Sequence, residues 1–321
     1  MPKTPPQTAE QPDPGHSPFH AGEQALQRAN GSRDRIEMFG RRAIRPYLPD
    51  QHRAFFAQLP FVAVAAVDSD GRPWASLFPG PPGFVHAPDA YHLDLALHGA
   101  AADPVRQALH PGAAIGLLGI EMHSRRRNRL NGRIKSLNAK QLRLRVDQSF
   151  GNCPKYIRHR QLSPSRPTAD RRTARVSARF TQLDGAVRDQ IAAADVFFVA
   201  SAIKAQDNPV IQGVDVSHRG GPVGFVTING NSLIIPDYRG NNYFNTLGNF
   251  LLNPRAGLVF PDFDSGALLQ LTGRTALLTQ DSPELQGVDD AVGGWRFTLD
   301  EGLRLQDALP FRTTAQTQTD Q

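Results

Sequence analysis

Residues 76–85 read SLFPGPPGFV and residues 217–226 read SHRGGPVGFV. Six of the ten positions are identical without a gap. Self-similarity at a fixed spacing marks a repeated structural unit, because each copy meets the same packing and turn requirements. The spacing that carries Ser76 onto Ser217 also carries Leu93 onto Ile234 and Asn131-Gly132-Arg133 onto Thr272-Gly273-Arg274. With one small insertion it carries His110-Pro111 onto Asn253-Pro254. The order of elements repeats as well. A helix over Asp50–Leu59, opened by an Asp cap, leads into an apolar strand at Phe61–Val67, and a helix over Asp184–Ala193 leads into Val196–Ala202. Two copies of one domain are expected, over residues 50–146 and 182–311, joined by a connector at 147–181.

The strand signals are plainest in the second copy. Residues 224–228 (GFVTI), the turn dipeptide Asn229-Gly230 and residues 231–235 (NSLII) form a hairpin pattern. Asn245–Asn253 follows as a short helix, with Leu247, Phe250 and Leu251 at helical spacing and Pro254 just past its end. Residues 256–260 and 267–278 give a second hairpin. The fold class is therefore mainly β with small helices: an antiparallel barrel of about six strands, used twice. Outside the copies, residues 1–19 are proline-rich and read as a disordered arm, and residues 312–321 as a disordered tail. Residues 20–49 read as a helical segment broken near Asn30-Gly31.

The 28 glycines and 26 prolines make up about 17% of 321 residues, against a usual ~12%, which disfavours a helical bundle. One cysteine, Cys153, excludes an internal disulfide framework. It lies near Lys155, Arg158 and His159, cations that favour a thiolate, but no carboxylate–histidine pair marks it as a nucleophile. The ten histidines show no metal-binding spacing. No serine elbow or phosphate-binding P-loop is present. The longest apolar run is too short to span a membrane and no signal peptide opens the chain, so a cytoplasmic location is expected. The 36 Lys+Arg against 30 Asp+Glu hide an uneven distribution. Between Arg125 and Arg179 there are 14 Arg and 3 Lys against two Asp, a local net of +15. Such a block suits an anionic partner or a solvated surface.

Residues 215–226 (DVSHRGGPVGFV), 233–260 (LIIPDYRGNNYFNTLGNFLLNPRAGLVF) and 268–275 (LLQLTGRT) are similar to the pyridoxamine 5′-phosphate oxidase-like family, the FMN-binding split barrels. Residues 123–133 (HSRRRNRLNGR) and 146–157 (VDQSFGNCPKYI) extend the resemblance to a two-barrel branch, so that it covers most of the chain. It implies tandem split barrels, FMN as cofactor, and an oxidoreductase passing hydride or electrons between NADH or NADPH and a small acceptor or oxygen. Family members that bind haem, a deazaflavin or nothing leave a non-catalytic sensor or storage protein as the alternative. The catalytic residues are not identified by the resemblance.

A flavin phosphate needs backbone N–H groups and cationic or hydroxyl side chains, which a helix N-terminus entered through a glycine supplies. Arg239, Asn241, Asn242, Asn245 and Thr246 fill that place. The family often has an Arg-Lys pair where this chain has Asn245-Thr246, so the cation must come from elsewhere. The resemblance sets the flavin ring against Ser217, His218 and Arg219, with Gln270 and Arg274 as polar candidates on a later strand. In the first copy Asp103 stands where the second has Thr246; a carboxylate there repels phosphate, so that site is expected to be lost. Arg125, Arg127 and Arg129 are candidates for a cofactor or substrate anion. A solvated face and a nucleic-acid patch are the rival readings; few aromatics and no reading helix disfavour nucleic acid. The split barrel needs a partner barrel, supplied within the chain or by a homodimer.

Overall fold

The computed structural model describes residues 16–165, 174–203 and 213–314. Most of the expected arm and tail, and the part of the basic block at 166–173, lie outside the described residues. Two helices come first: α1 (Ala21–Ala29) and α2 (Arg33–Ala43), parted at Asn30-Gly31 as the sequence suggested. The first unit holds α3 (Asp50–Ala57), β1 (Phe61–Val67), β2 (Pro73–Pro79), β3 (Val85–His86), β4 (His92–Ala96), α4 (Pro104–Gln107), β5 (Ala114–Glu121), β6 (Arg126–Leu137) and β7 (Gln141–Gly151). Two strands lie in the connecting region, β8 (Leu162–Pro164) and β9 (Arg175–Phe180). The second unit holds α5 (Gly185–Ala192), β10 (Val196–Ala202), β11 (Val214–Gly220), β12 (Thr227–Asn229), β13 (Ser232–Tyr238), α6 (Asn245–Leu252), β14 (Arg255–Pro261), β15 (Leu268–Leu278) and β16 (Ala291–Gln306), before β17 (Phe311–Thr313) pairs with β8.

The first sheet runs β2-β1-β5-β6-β7-β4-β3 and the second β11-β10-β14-β15-β16-β13-β12, the same order twice, with β9 added against β16. The chain is a pair of tandem split barrels, mostly β with small helices. The repeat extends to local irregularities. The β6–β7 ladder slips between Asn131 and Gly132, and the β15–β16 ladder between Thr272 and Gly273. Each bulge falls at a glycine pressed against the opposite strand, where a side chain would strike the Arg145 or Thr298 carbonyl.

The apolar runs lack alternation because both faces are covered. Phe197 and Val199 of β10 face the second barrel's interior with Phe260 and Trp295, while Val196, Phe198, Ala200 and Ala202 join the first barrel's core. The seam is close enough to require glycine. A Cβ on Gly116 of β5 would sit 2.7 Å from the Val214 carbonyl, and one on Gly257 of β14 would sit 2.5 Å from the Pro73 carbonyl. These two glycines occupy equivalent positions of the repeat.

Three boundaries differ from the sequence reading. Phe19, placed in the disordered arm, is fully buried against Tyr243 and α2, because its ring fills space beside Gly40. Strand β7 continues to Gly151, into the stretch read as connector, and β9 joins the second sheet. The long strand β16 was not read from the sequence; its apolar positions Trp295, Phe297, Leu299, Leu303 and Leu305 keep one alternation, interrupted at Glu301, and serve the second barrel's core before the interruption and the first barrel's core after it.

Candidate functional site

The seam brings β6 of the first barrel against β11 and α6 of the second. Arg129 is buried there. It donates to Asp215 Oδ2 at 2.7 Å and to Ser217 Oγ at 2.5 Å, and its guanidinium lies 5.4 Å from the Phe150 ring. Asn131 donates to the other Asp215 oxygen at 3.2 Å, and Thr246 of α6 donates to Ser217 at 2.9 Å. Burial lowers the Arg129 pKa and raises that of Asp215, and in each case the partner's charge opposes the shift. Among the described residues Arg129 Nε and Asn131 Oδ1 have no hydrogen-bond partner.

The mouth of α6 is closed by the N-terminal segment. Its N-cap, Phe244, has φ 61° and offers no capping side chain. Glu23 of α1 instead accepts from the Asn245 side chain, and its other oxygen accepts from His20 N at 2.9 Å. Burial pushes the Glu23 pKa up to about 8, opposed by those two hydrogen bonds, and burial holds His20 down near 4. Both side chains are therefore neutral at pH 7. Gly22 and Gly248 let α1 and α6 touch backbone to backbone; a Cβ on Gly248 would lie 2.7 Å from Glu23 N. His20, Glu23, Asn131, Asp215, Asn245 and Asn249 enclose a cavity of about 30 Å³, on the scale of one water molecule.

A second arginine lies further along β6. Arg127 Nε donates to the Cys153 carbonyl at 2.7 Å, and Nη1 meets His218 Nδ1 at 3.2 Å. Burial, together with the charges of Arg129 and Arg219, lowers its pKa to about 10. His218 is buried, and burial beside Arg127 and Arg219 holds it neutral. With Nδ1 facing a cation, His218 carries its proton on Nε2, which has no partner among the described residues. The neighbouring arginines are neutralised: Arg129 by Asp215, Arg160 by Asp195 at 2.6 Å and Arg219 by Asp237 at 2.7 Å. Among the described residues Arg127 has no carboxylate partner within ion-pair distance. Arg125, Tyr156, Arg158 and Gly221 line an open groove of about 500 Å³. Gly220, next to Gly221, packs between the Tyr156 carbonyl and the His218 ring.

A family model described as pyridoxamine 5′-phosphate oxidase matches residues 48–179 and again residues 183–308. The chain belongs to the pyridoxamine 5′-phosphate oxidase family. No curated protein matches it. Among solved structures it is similar to a putative pyridoxamine 5′-phosphate oxidase from Lactobacillus delbrueckii, with 18% identity, 33% of this chain and 94% of that chain covered, and TM-score 0.27. An FMN-binding protein from Syntrophomonas wolfei has 10% identity, covers 40% and 96%, and gives 0.28. HutZ, a heme storage protein from Vibrio cholerae, has 10% identity, covers 37% and 90%, and gives 0.26.

Within this pyridoxamine 5′-phosphate oxidase fold, Ser217, Thr246 and Arg129 meet in one cluster, and His218 meets Arg127. Arg219 reaches Asp237. The side chain of Asn245 is engaged by Glu23. Arg239 is exposed, and its carbonyl accepts from the Tyr156 hydroxyl at 3.0 Å. Asn241 and Asn242 line a different groove, facing α2. Gln270 does not join the Ser217 cluster: its side chain crosses the seam to the Ala75 carbonyl at 2.9 Å and to Asp103 at 3.4 Å. Arg274 is exposed and faces Asp300 at 3.3 Å. Asp103 caps α4 itself, accepting from Val105 N at 2.8 Å and from Ser76, so in the first copy a carboxylate of the chain holds the helix mouth. The sequence reading missed Glu23, His20 and Asp215 as site residues. Glu23 follows His20 by three, the spacing of a capping box, which was the available signal. Among the described residues no group of His, Cys, Asp or Glu could hold a metal ion, and no helix is long and apolar enough to cross a membrane.

Proposed function

We propose that the chain binds FMN at the seam beside β11 and uses it to pass hydride or electrons between NADH or NADPH and a small acceptor or oxygen. The observation that carries this reading is Arg127. A half-buried guanidinium facing a carbonyl and a neutral imidazole loses hydration without gaining a counter-charge. An anionic ligand group beside it restores that balance, and family membership makes a flavin nucleotide the first candidate.

The fit is uneven along the site. At the α6 mouth the 30 Å³ cavity, lined by Glu23 and Asp215, does not fit a phosphate while α1 is docked. Around Arg127 the residues do fit an anionic, planar ligand. Strand β11 is the edge of its sheet, paired by β10 on one side, so its outward backbone groups suit the polar edge of a ring. Arg127 would meet negative charge, and Ser217 and His218 Nε2 would supply hydrogen bonds. Bound FMN supplies the electron transfer itself; the side chains bind, orient and shield it.

The test is the absorption spectrum of purified protein, followed by equilibrium dialysis against FMN. A flavin spectrum or uptake of added FMN is expected, and Arg127→Ala should reduce that uptake. A colourless protein that takes up no FMN sinks the reading, and a sharp Soret band moves it to haem.

A further inference from the structure

Helix α2 places Arg35, Phe39 and Arg42 at i, i+4 and i+7, so all three share one face. That face looks onto the loop that enters α6. Together with Arg45, Asn241 and Asn242 they line a groove of about 500 Å³. We propose that this groove binds the phosphate of a nucleotide, with Phe39 as the stacking surface for its ring.

The charge arrangement supports an anion. Helix α2 divides its arginines: Arg33 and Arg41 both pair with Glu37 at 2.7 Å, whereas Arg35, Arg42 and Arg45 have no carboxylate partner within ion-pair distance among the described residues. The side chain of Arg45 donates to the Ala43 carbonyl at 3.2 Å. Among the described residues no acidic side chain lines the groove. Three guanidiniums and two amides form a donor set with the chemistry of a phosphate site. Phe39 is 50% exposed, an unusual state for a large aromatic on a helix that already buries Ile36 in the core. On the opposite wall Asn242 holds φ 60°, a conformation non-glycine residues adopt at a cost.

Helix α2 lies before the residues matched by the family model, so these three arginines are an addition to the family's core. They stand beside the helix whose start, Asn245-Thr246, lacks cationic side chains. Two ligands present the required chemistry: the FMN of the proposed function, or a separate nucleotide such as the adenylate half of a nicotinamide donor. The first case rests on that function; the second does not.

The test is calorimetric titration of the full chain with FMN, riboflavin and AMP, repeated on Arg42→Gln and on Arg35→Glu/Arg42→Glu. Arg35 and Arg42 are exposed, and melting curves of the variants should match the wild type. Each lost arginine should weaken a phosphate-bearing probe by roughly tenfold and leave riboflavin unchanged. Weakened FMN with no AMP binding identifies the flavin's own phosphate. Weakened AMP with unchanged FMN identifies a second nucleotide. Phosphate-bearing probes that do not bind, or that bind the double variant as tightly as wild type, overturn the proposal. Failure of the flavin reading is separate: FMN and riboflavin both fail to bind, while AMP binding still depends on Arg42.

Discussion

Arg129 and Gln270 occupy equivalent positions of the two repeats, and each reaches out of its own barrel across the seam. Arg129 meets Asp215 and Ser217; Gln270 meets the Ala75 carbonyl and Asp103. The serines match as well: Ser76 donates to Asp103 at the mouth of α4, and Ser217 accepts from Thr246 at the mouth of α6. The acidic group has changed place between copies. In one it caps the helix as Asp103; in the other it sits on the strand as Asp215, where the first copy has Trp74. One half of the pseudo-symmetric seam is thereby sealed by its own carboxylate, and the other keeps cationic side chains.

Breaking the Arg129–Asp215 pair should be costly. Asp215→Asn leaves a buried guanidinium without its counter-charge, a change worth about 3–5 kcal/mol. Adding Arg129→Gln to that variant rebuilds the neutral arrangement seen at Gln270 and should recover most of the loss. Urea denaturation of the two variants measures both effects; equal stability of the single and double variants would refute the pairing argument.

Arg127 should behave in the opposite sense. Its cation is desolvated without a carboxylate, so Arg127→Met should leave the ligand-free protein unchanged or stabilise it by about 1 kcal/mol, while weakening FMN at least tenfold. Thermal melting with and without FMN separates the two effects. A large loss of stability in the ligand-free variant would show that Arg127 is structural.

The docking of α1 should depend on pH through Glu23 and His20. Glu23 is protonated in the fold, with its pKa raised to about 8 by burial. Its stabilising share is complete below the ordinary value of 4.5 and is lost as pH rises through 8. His20 is neutral in the fold, lowered to about 4 by burial. Its share is complete above 6.5 and is lost as pH falls through 4. Of the charged groups nearby, Asp215, itself raised by burial, opposes ionisation of Glu23, and Arg129 favours it. Docking should be firmest near pH ~6 and loosen toward pH ~9. Protease cleavage within α1 across that range reports it, and Glu23→Gln should flatten the alkaline side.

Much of the fold could be read from the chain because turns and close approaches restrict residue choice. The Gly-Pro turns and the glycines at 132 and 273 appear in both copies, since each copy needs the same bends and contacts. Strand β16 escaped notice because its alternation is interrupted at Glu301, where an apolar residue would fall, near the register shift opposite Thr272/Gly273. The site was less legible. Ser217, Thr246 and Arg129 were identifiable by type, but their grouping depends on which strand faces which across the seam. Gln270 shows the difficulty: it has the right chemistry and points to the other half of the seam. Glu23 was hidden because a glutamate in a short helix normally faces water, and its burial follows from contact with a helix of the second barrel, remote in sequence.

That contact supplies a sharp test in Gly248→Ala. Alanine is favoured over glycine inside a helix by about 1 kcal/mol, so α6 alone should gain. The new Cβ, however, would lie 2.7 Å from Glu23 N and 2.8 Å from Glu23 Cα. These are backbone atoms that cannot rotate away, and overpacking of this kind costs about 1–3 kcal/mol. The clash should prevail locally: α1 should leave α6, the N-terminal segment should become sensitive to protease, and the α6 mouth should open. Gly185→Ala is the control, since a Cβ there meets nothing within 4 Å at the start of α5. If both variants protect α1 equally from protease, the backbone contact is not what holds the segment down. If only Gly248→Ala releases it, and the released protein takes up FMN more tightly than wild type, α1 competes with the cofactor for the mouth of α6.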